Sequence, residues 1–275
     1  MIWLFKFFSR WPLWALQALG WVLGWATFLL SPSYRQRLFA NAKLAGQSHA
    51  VWASVGQAGC LVGETPRLWL GEQPPCEWID SDLLIRAHAK GKGILLLTPH
   101  LGCFEMAPQS FAKQFAAQLG PITVLYRPSR NASLAEVQAT ARERPSLKTA
   151  TTTMGGVRQM LKALRAGETV GLLPDQVPPE GQGVWASFFG QPAYSMTLAA
   201  RLVQQTGAFV VLVIVERLSW GRGYRVHLAE LAHPLAADLD SAVQQINGEM
   251  ARLIARFPEQ YLWAYNRYKA PRSGA

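Results

Sequence analysis

Four short apolar runs constrain this chain more than any other feature: residues 93–99, 122–126, 169–173 and 208–216. Helix-forming stretches at roughly 102–118, 132–142, 155–166 and 195–206 separate or follow them. Continuous apolar strands alternating with helices predict an α/β fold, with a mostly parallel central sheet flanked by helices. Gly120-Pro121, Gly167 and Gly207 stand where a helix should end before a strand begins. Residues 46–90 read as helices with a turn near 71–75. Each apolar run leaves the core through a polar residue: His100, Arg127, Asp175, and Glu216 with Arg217. In open parallel sheets, ligands bind beyond the carboxyl ends of the strands. Any single strand can end this way without consequence, but several such residues of suitable chemistry point to a site on one rim.

The amino-terminal 45 residues differ from the rest. No charged residue occurs in the 24 positions from Trp11 to Tyr34, long enough to cross a bilayer. Lys6 and Arg10 precede the stretch, Arg35 and Arg37 follow it, and five of the 11 tryptophans fall within the first 25 residues. Clustered Trp with basic flanks favours membrane association over an apolar helix that merely packs on a domain. The near-equal flanks fix no orientation, and spanning or lying in the interface both remain open. Gly20 and Gly24 form one GxxxG, a weak signal for helix pairing. Residues 1–45 are therefore expected to be a membrane-associating arm and 46–275 a single domain.

Charge narrows the partners. Lys and Arg number 27 against 17 Asp and Glu, a net +10. A basic surface suits phosphate-bearing lipid head groups or an acidic protein. Eight Lys or Arg and two Glu lie between Arg127 and Arg165. Within that segment Arg142 and Arg144 read as a solvated face. No nucleic-acid-binding motif or aromatic platform is evident, so nucleic acid is not expected as a partner. Three cysteines without ligand spacing argue against a disulfide framework and against a metal site.

The run at 94–97 stops at Thr98-Pro99, because proline cannot donate to a sheet ladder. His100 then lies in the turn, and Glu105 falls in the first turn of the next helix, where the two can converge. An imidazole held by a carboxylate is the general-base half of a catalytic triad, with the nucleophile coming from a substrate. H-x4-E alone occurs often by chance; its place after a buried strand, with Gly102 leaving room, strengthens it. Cys103 raises a thiolate alternative, although small buried cysteines are usually structural.

Further blocks share the order of a known family. These are Tyr126-Arg127-Pro128, Gly155-Gly156-Val157-Arg158, Pro174-Asp175-Gln176, Phe188-Phe189-Gly190-Gln191-Pro192-Ala193, and Pro258-Glu259-Gln260-Tyr261-Leu262-Trp263 with Arg267-Tyr268-Lys269. With H-x4-E they resemble the bacterial lipid A late acyltransferases of the lauroyl/myristoyl type, within the glycerolipid acyltransferase superfamily. The F-P-E-G-x-x-S block of glycerophosphate-type relatives is absent, and Leu173-Pro174-Asp175-Gln176 stands nearby instead.

The resemblance implies an O-acyltransferase of the inner membrane with a cytoplasmic active site. It would move a fatty acyl chain from acyl carrier protein to a hydroxyl of a lipid A precursor, without metal or organic cofactor. His100 and Glu105 are the expected catalytic pair. Arg127, Arg158 and Asp175 are expected to bind or orient substrate. Backbone amides near Gly102, or the guanidinium of Arg127 or Arg158, are candidate oxyanion donors. A different lipid acceptor, or a non-catalytic lipid-binding protein on the same scaffold, are the alternatives.

Overall fold

The structure is a computed structural model that describes residues 2–126 and 144–272. The expected helix at 132–142 lies outside the described residues. The chain opens with helices α1 (Ile2–Phe8), α2 (Leu13–Leu30), α3 (Pro32–Leu44) and α4 (Val51–Leu70). Then come β1 (Cys76–Ile79), α5 (Asp82–Ala89), β2 (Ile94–Leu97), α6 (Met106–Gln114), α7 (Ala116–Leu119), β3 (Ile122–Tyr126) and β4 (Leu147–Thr151). They are followed by α8 (Met154–Arg165), β5 (Thr169–Leu172), β6 (Gly183–Phe188), β7 (Gln191–Met196), α9 (Leu198–Thr206), β8 (Phe209–Arg217), β9 (Tyr224–Glu230) and α10 (Leu239–Ile254).

Seven strands form one sheet in the order β1-β9-β8-β2-β5-β3-β4. The four strands expected from the apolar runs are its contiguous, mutually parallel centre, β8-β2-β5-β3. Only the β8–β9 pairing is antiparallel, so β9 and β1 run opposite to the rest. The α/β expectation of a mostly parallel sheet is met. A separate hairpin joins β6 to β7 through Phe189 and Gly190, both at positive φ (49° and 75°), as two-residue hairpin turns require. Residues 195 and 196, expected to start a helix, belong to β7 instead.

Every residue of β2 is buried, because both faces of the sheet are covered. Leu95 and Leu97 point into a layer with Met160 of α8, Leu202 of α9 and Ile246 of α10. Ile94 and Leu96 point into the opposite layer, with Leu84 of α5 and Met106 and Phe111 of α6. Helix α4 gives Val55 to the first layer and Leu68 to the second, so it passes from one to the other. Its carboxyl end is met by Arg144, whose Nη2 donates to the carbonyls of Leu68 (2.7 Å) and Trp69 (3.2 Å). Arg144 is thus a cap on the terminal carbonyls of α4, not part of a solvated face, and Arg142 lies outside the described residues.

Helix α2 alone among the described helices has the length and hydropathy to cross a membrane, and a third of that stretch is buried. Its buried stripe is Leu13, Leu16, Gln17, Gly20, Gly24 and Phe28, the spacing of one helical face. That face packs on α4 through glycines on both helices. A Cβ at Gly20 would lie 2.6 Å from the Gly59 carbonyl oxygen, and one at Gly59 would collide with Gly20. Small residues allow this backbone-to-backbone approach. Outside that stripe α2 leaves Trp14, Val22, Leu29 and Leu30 exposed and Trp21 partly so, with Trp52 of α4 and Trp220 also bare.

Candidate active site

Strands β2 and β5 are parallel neighbours with Leu97 opposite Leu172. His100 and Asp175 each lie three residues beyond that pair, so equal offsets along adjacent strands bring them together. Asp175 Oδ1 is 2.6 Å from His100 Nδ1, and Oδ2 accepts the backbone N–H of His100 at 3.0 Å. One carboxylate therefore fixes both the turn and the ring. The imidazole keeps 19% of its side chain exposed while Asp175 keeps 1%.

Burial is the largest influence on Asp175 and raises its pKa, but the charge and two hydrogen bonds of His100, with Arg267 nearby, outweigh it. The net result is a carboxyl held below its ordinary value, hence ionised at neutral pH. An ionised carboxylate can only accept, so the Nδ1 that faces it carries the proton. In the neutral ring Nε2 is then a bare acceptor, the state a general base requires.

Glu105, expected to meet Nδ1, does not occupy that position: the nitrogen faces Asp175. Glu105 stands at the start of α6, half-buried, in the wall of a narrow apolar cleft. The cleft encloses about 730 Å³ of empty space, its open mouth included. Thr98, Phe104, Glu105 and Leu173 line it near the rim, Leu96, Ile122 and Val124 line it along the sheet, and Trp69 of α4 closes it. Gly171 of β5 helps to make the space: a Cβ there would lie 3.2 Å from Val124 Cγ1. The Phe104 ring joins cleft to base, its centroid 4.9 Å from that of His100.

An imidazole base oriented by a buried carboxylate, beside an apolar cleft at the carboxyl rim of a parallel sheet, suits acyl transfer. The profile of bacterial lipid A biosynthesis acyltransferases matches residues 48–270. The chain belongs to that family. A lipid A biosynthesis palmitoleoyltransferase of Escherichia coli (strain K12) is 26% identical over 216 residues, 77% of this chain and 68% of the relative. A lipid A biosynthesis lauroyltransferase of the same organism is 29% identical over 188 residues, 68% of this chain and 59% of the relative. A lipid A biosynthesis acyltransferase of Haemophilus influenzae is 26% identical over 203 residues, 74% of this chain and 62% of the relative.

Of the residues expected to bind or orient substrate, Asp175 instead holds His100. Arg127 lies outside the described residues. Arg158 is exposed on α8, and among the described residues no hydrogen bond or ion pair joins it to His100, Asp175 or Glu105. Four backbone amides around Gly102 make hydrogen bonds within the protein. His100 N–H binds Asp175, Leu101 N–H binds the Pro99 carbonyl, Gly102 N–H binds that of Gln260, and Cys103 N–H that of Val215. These four amides already have partners within the protein. Cys103 is fully buried, and burial pushes its thiol well above the ordinary value, which removes the thiolate route. Among the described residues no group of three or more His, Cys, Asp or Glu side chains is placed to hold a metal ion.

Two residues of the carboxyl-terminal block belong to the site although only the resemblance drew attention to that block. Arg267 is buried, donates to the Tyr194 carbonyl (2.8 Å) and Ser195 Oγ (2.7 Å), and adds positive potential at Asp175. Tyr261 is buried beside Asp175; burial and that carboxylate hold its phenol protonated far above the ordinary range.

Proposed function

We propose that this protein transfers a fatty acyl chain from acyl carrier protein to a hydroxyl of a lipid A precursor, at the cytoplasmic face of a bacterial inner membrane. His100 Nε2 takes the proton of the acceptor hydroxyl as its oxygen attacks the thioester carbonyl carbon. The imidazolium so formed is stabilised by Asp175 through Nδ1–H. The tetrahedral oxyanion collapses, the carbon–sulfur bond breaks, and the imidazolium returns its proton to the departing carrier sulfur. No metal or organic cofactor enters these steps. The observation that carries the reading is the His100–Asp175 pair opening beside the apolar cleft. Its mostly apolar lining suits a hydrocarbon chain better than a polar substrate.

Glu105, in the cleft wall beside Thr98, orients the acyl donor or acceptor at the mouth. Arg127 and Arg158 contribute to the basic surface that meets lipid phosphates and the acidic carrier. The exposed Trp and Leu of α2 seat the enzyme on the bilayer, and the packing of its other face on α4 favours a helix lying in the interface. The test is to incubate the purified enzyme in mixed micelles with carrier thioesters of several chain lengths and a lipid A precursor, then weigh the lipid product. One added acyl group, absent with His100→Ala, is expected. Transfer by His100→Ala, or no transfer to the lipid A precursor while another lipid is acylated, overturns the mechanism or the acceptor respectively.

A further inference from the structure

Beneath the His100 turn lies a buried ion pair that this chemistry does not use. Glu64 of α4 is 0% exposed and Arg217, the last residue of β8, is 4% exposed. Arg217 Nε and Nη2 reach Glu64 Oε1 and Oε2 at 2.7 and 2.9 Å, a two-pronged contact. The remaining donors point away from the pair: Nη1 to Gln57 Oε1 (2.8 Å) and Nη2 to the Gly102 carbonyl (3.1 Å). Stability alone explains such a pair poorly, because desolvation offsets most of the attraction and an apolar replacement is often neutral or better. An apolar side chain, however, could not satisfy the buried Gly102 carbonyl.

The turn is seated on backbone at every side. Gly102 has φ +61°, and a Cβ there would collide with the Val215 carbonyl of β8. Gln260 closes the other side. Its carbonyl accepts Gly102 N–H at 2.9 Å, and its side-chain amide brackets the Arg217 backbone, accepting from N–H at 2.8 Å and donating to the carbonyl at 3.1 Å. The same network runs outward to α2. Gln17 Nε2 donates to Glu64 Oε1 (2.8 Å), and Gln17 Oε1 accepts the Gly221 N–H (2.8 Å).

We infer that Gln17, Glu64 and Arg217 form a positioning relay, in which Arg217 fixes the Gly102 carbonyl, and with it the turn that carries His100, while Gln17 ties that setting to the seating of α2 on α4. The inference rests on the reading of His100 as the base. None of the three touches substrate; they act through the turn. A helix with an exposed apolar face is thereby coupled to the geometry of the site.

The test uses the full chain in mixed micelles with Arg217→Lys, Gln17→Leu and His100→Ala. Lysine keeps the charge opposite Glu64 and loses the second arm to Gly102. Arg217→Lys should lower kcat about ten- to hundredfold with KM within about threefold, the signature of a misplaced base. Amide hydrogen exchange at Gly102 and Cys103 should quicken while β2 and β5 hold their protection. Gln17→Leu should shift kcat and exchange the same way by less, with unchanged micelle partition, since the helix becomes more apolar. If Arg217→Lys does not fold, Gln17→Leu decides. Wild-type kcat and exchange in the folded variants overturn the relay. An inactive His100→Ala beside fully active relay variants sinks the relay alone; an active His100→Ala sinks the base reading, and exchange still judges the relay.

Discussion

Two histidines in this protein each meet a carboxylate, and their surroundings differ. His100 Nδ1 lies 2.6 Å from Asp175, and His227 Nε2 lies 2.8 Å from Glu216. Both imidazoles are mostly buried, 19% and 16% exposed. Asp175 is sealed at 1% exposure and holds both the backbone N–H and the ring of His100; Glu216 is 20% exposed and also faces Arg225 Nη1 at 3.9 Å. His100 sits beyond the ends of parallel strands beside an apolar cleft, whereas His227 lies within the antiparallel β8–β9 pairing against the Phe257 ring. The distance between imidazole and carboxylate therefore identifies nothing by itself. What separates the pairs is a rim position beyond parallel strands and a place for substrate beside it.

The comparison breaks most visibly at the bases. His100→Ala should reduce transfer to background, a loss at or above the upper end of the 10²–10⁴-fold typical of a general base, whereas His227→Ala should stay within about twofold. Steady-state kinetics on folded protein checks both. At the cleft, Gly171→Leu should fill space beside Val124 and shift the preferred acyl chain to a shorter one, lowering kcat/KM for the longest donors by about ten- to two-hundredfold per lost contact. Mass analysis of products from a mixed donor pool reads that shift; unchanged chain preference would remove the cleft from the acyl path. Glu105→Gln should cost less than loss of His100, about tenfold, and act on positioning rather than on the base.

Acid should act on the His100 pair as well. Asp175 is held below its ordinary value, so its folded form binds a proton less readily than its unfolded form. Its contribution to stability is present above the unfolded carboxylate value and is lost as pH falls through the lower folded value. Melting temperature should drop across that acid window in the wild type and less steeply in Asp175→Asn. The smallest effect belongs to Glu216→Gln, which should leave turnover nearly unchanged.

The central sheet was legible because fully covered parallel strands are written as uninterrupted apolar runs. Strands with one polar or exposed side were not: Cys76–Ile79, Leu147–Thr151 and Tyr224–Glu230 mix polar and apolar residues within four to seven positions. Helix α10 was missed although Asp238 accepts from the Ser241 N–H and Val243, Ile246, Met250 and Leu253 bury one face. Both signals stood in the sequence. The site was half legible. His100 declared itself at a strand end, but its partner in space lies 75 residues away beyond the end of a neighbouring strand, and sequence spacing favoured the nearer Glu105. The strand order that sets β2 beside β5 is a property of the assembled sheet. Arg217 was visible at the end of its strand, yet its partner Glu64 lies 153 residues earlier on a helix, so its burial could not be read.

The most direct test of the account is turnover of Asp175→Asn with carrier thioester and lipid A precursor, in protein shown to be folded. Asparagine keeps the shape but can donate to Nδ1 and so favours the wrong tautomer. The account predicts a fall of about a thousandfold or more, with KM nearly unchanged. Turnover within a few fold of wild type, alongside a much larger loss in Glu105→Gln, would contradict it and return Glu105 to the place beside His100.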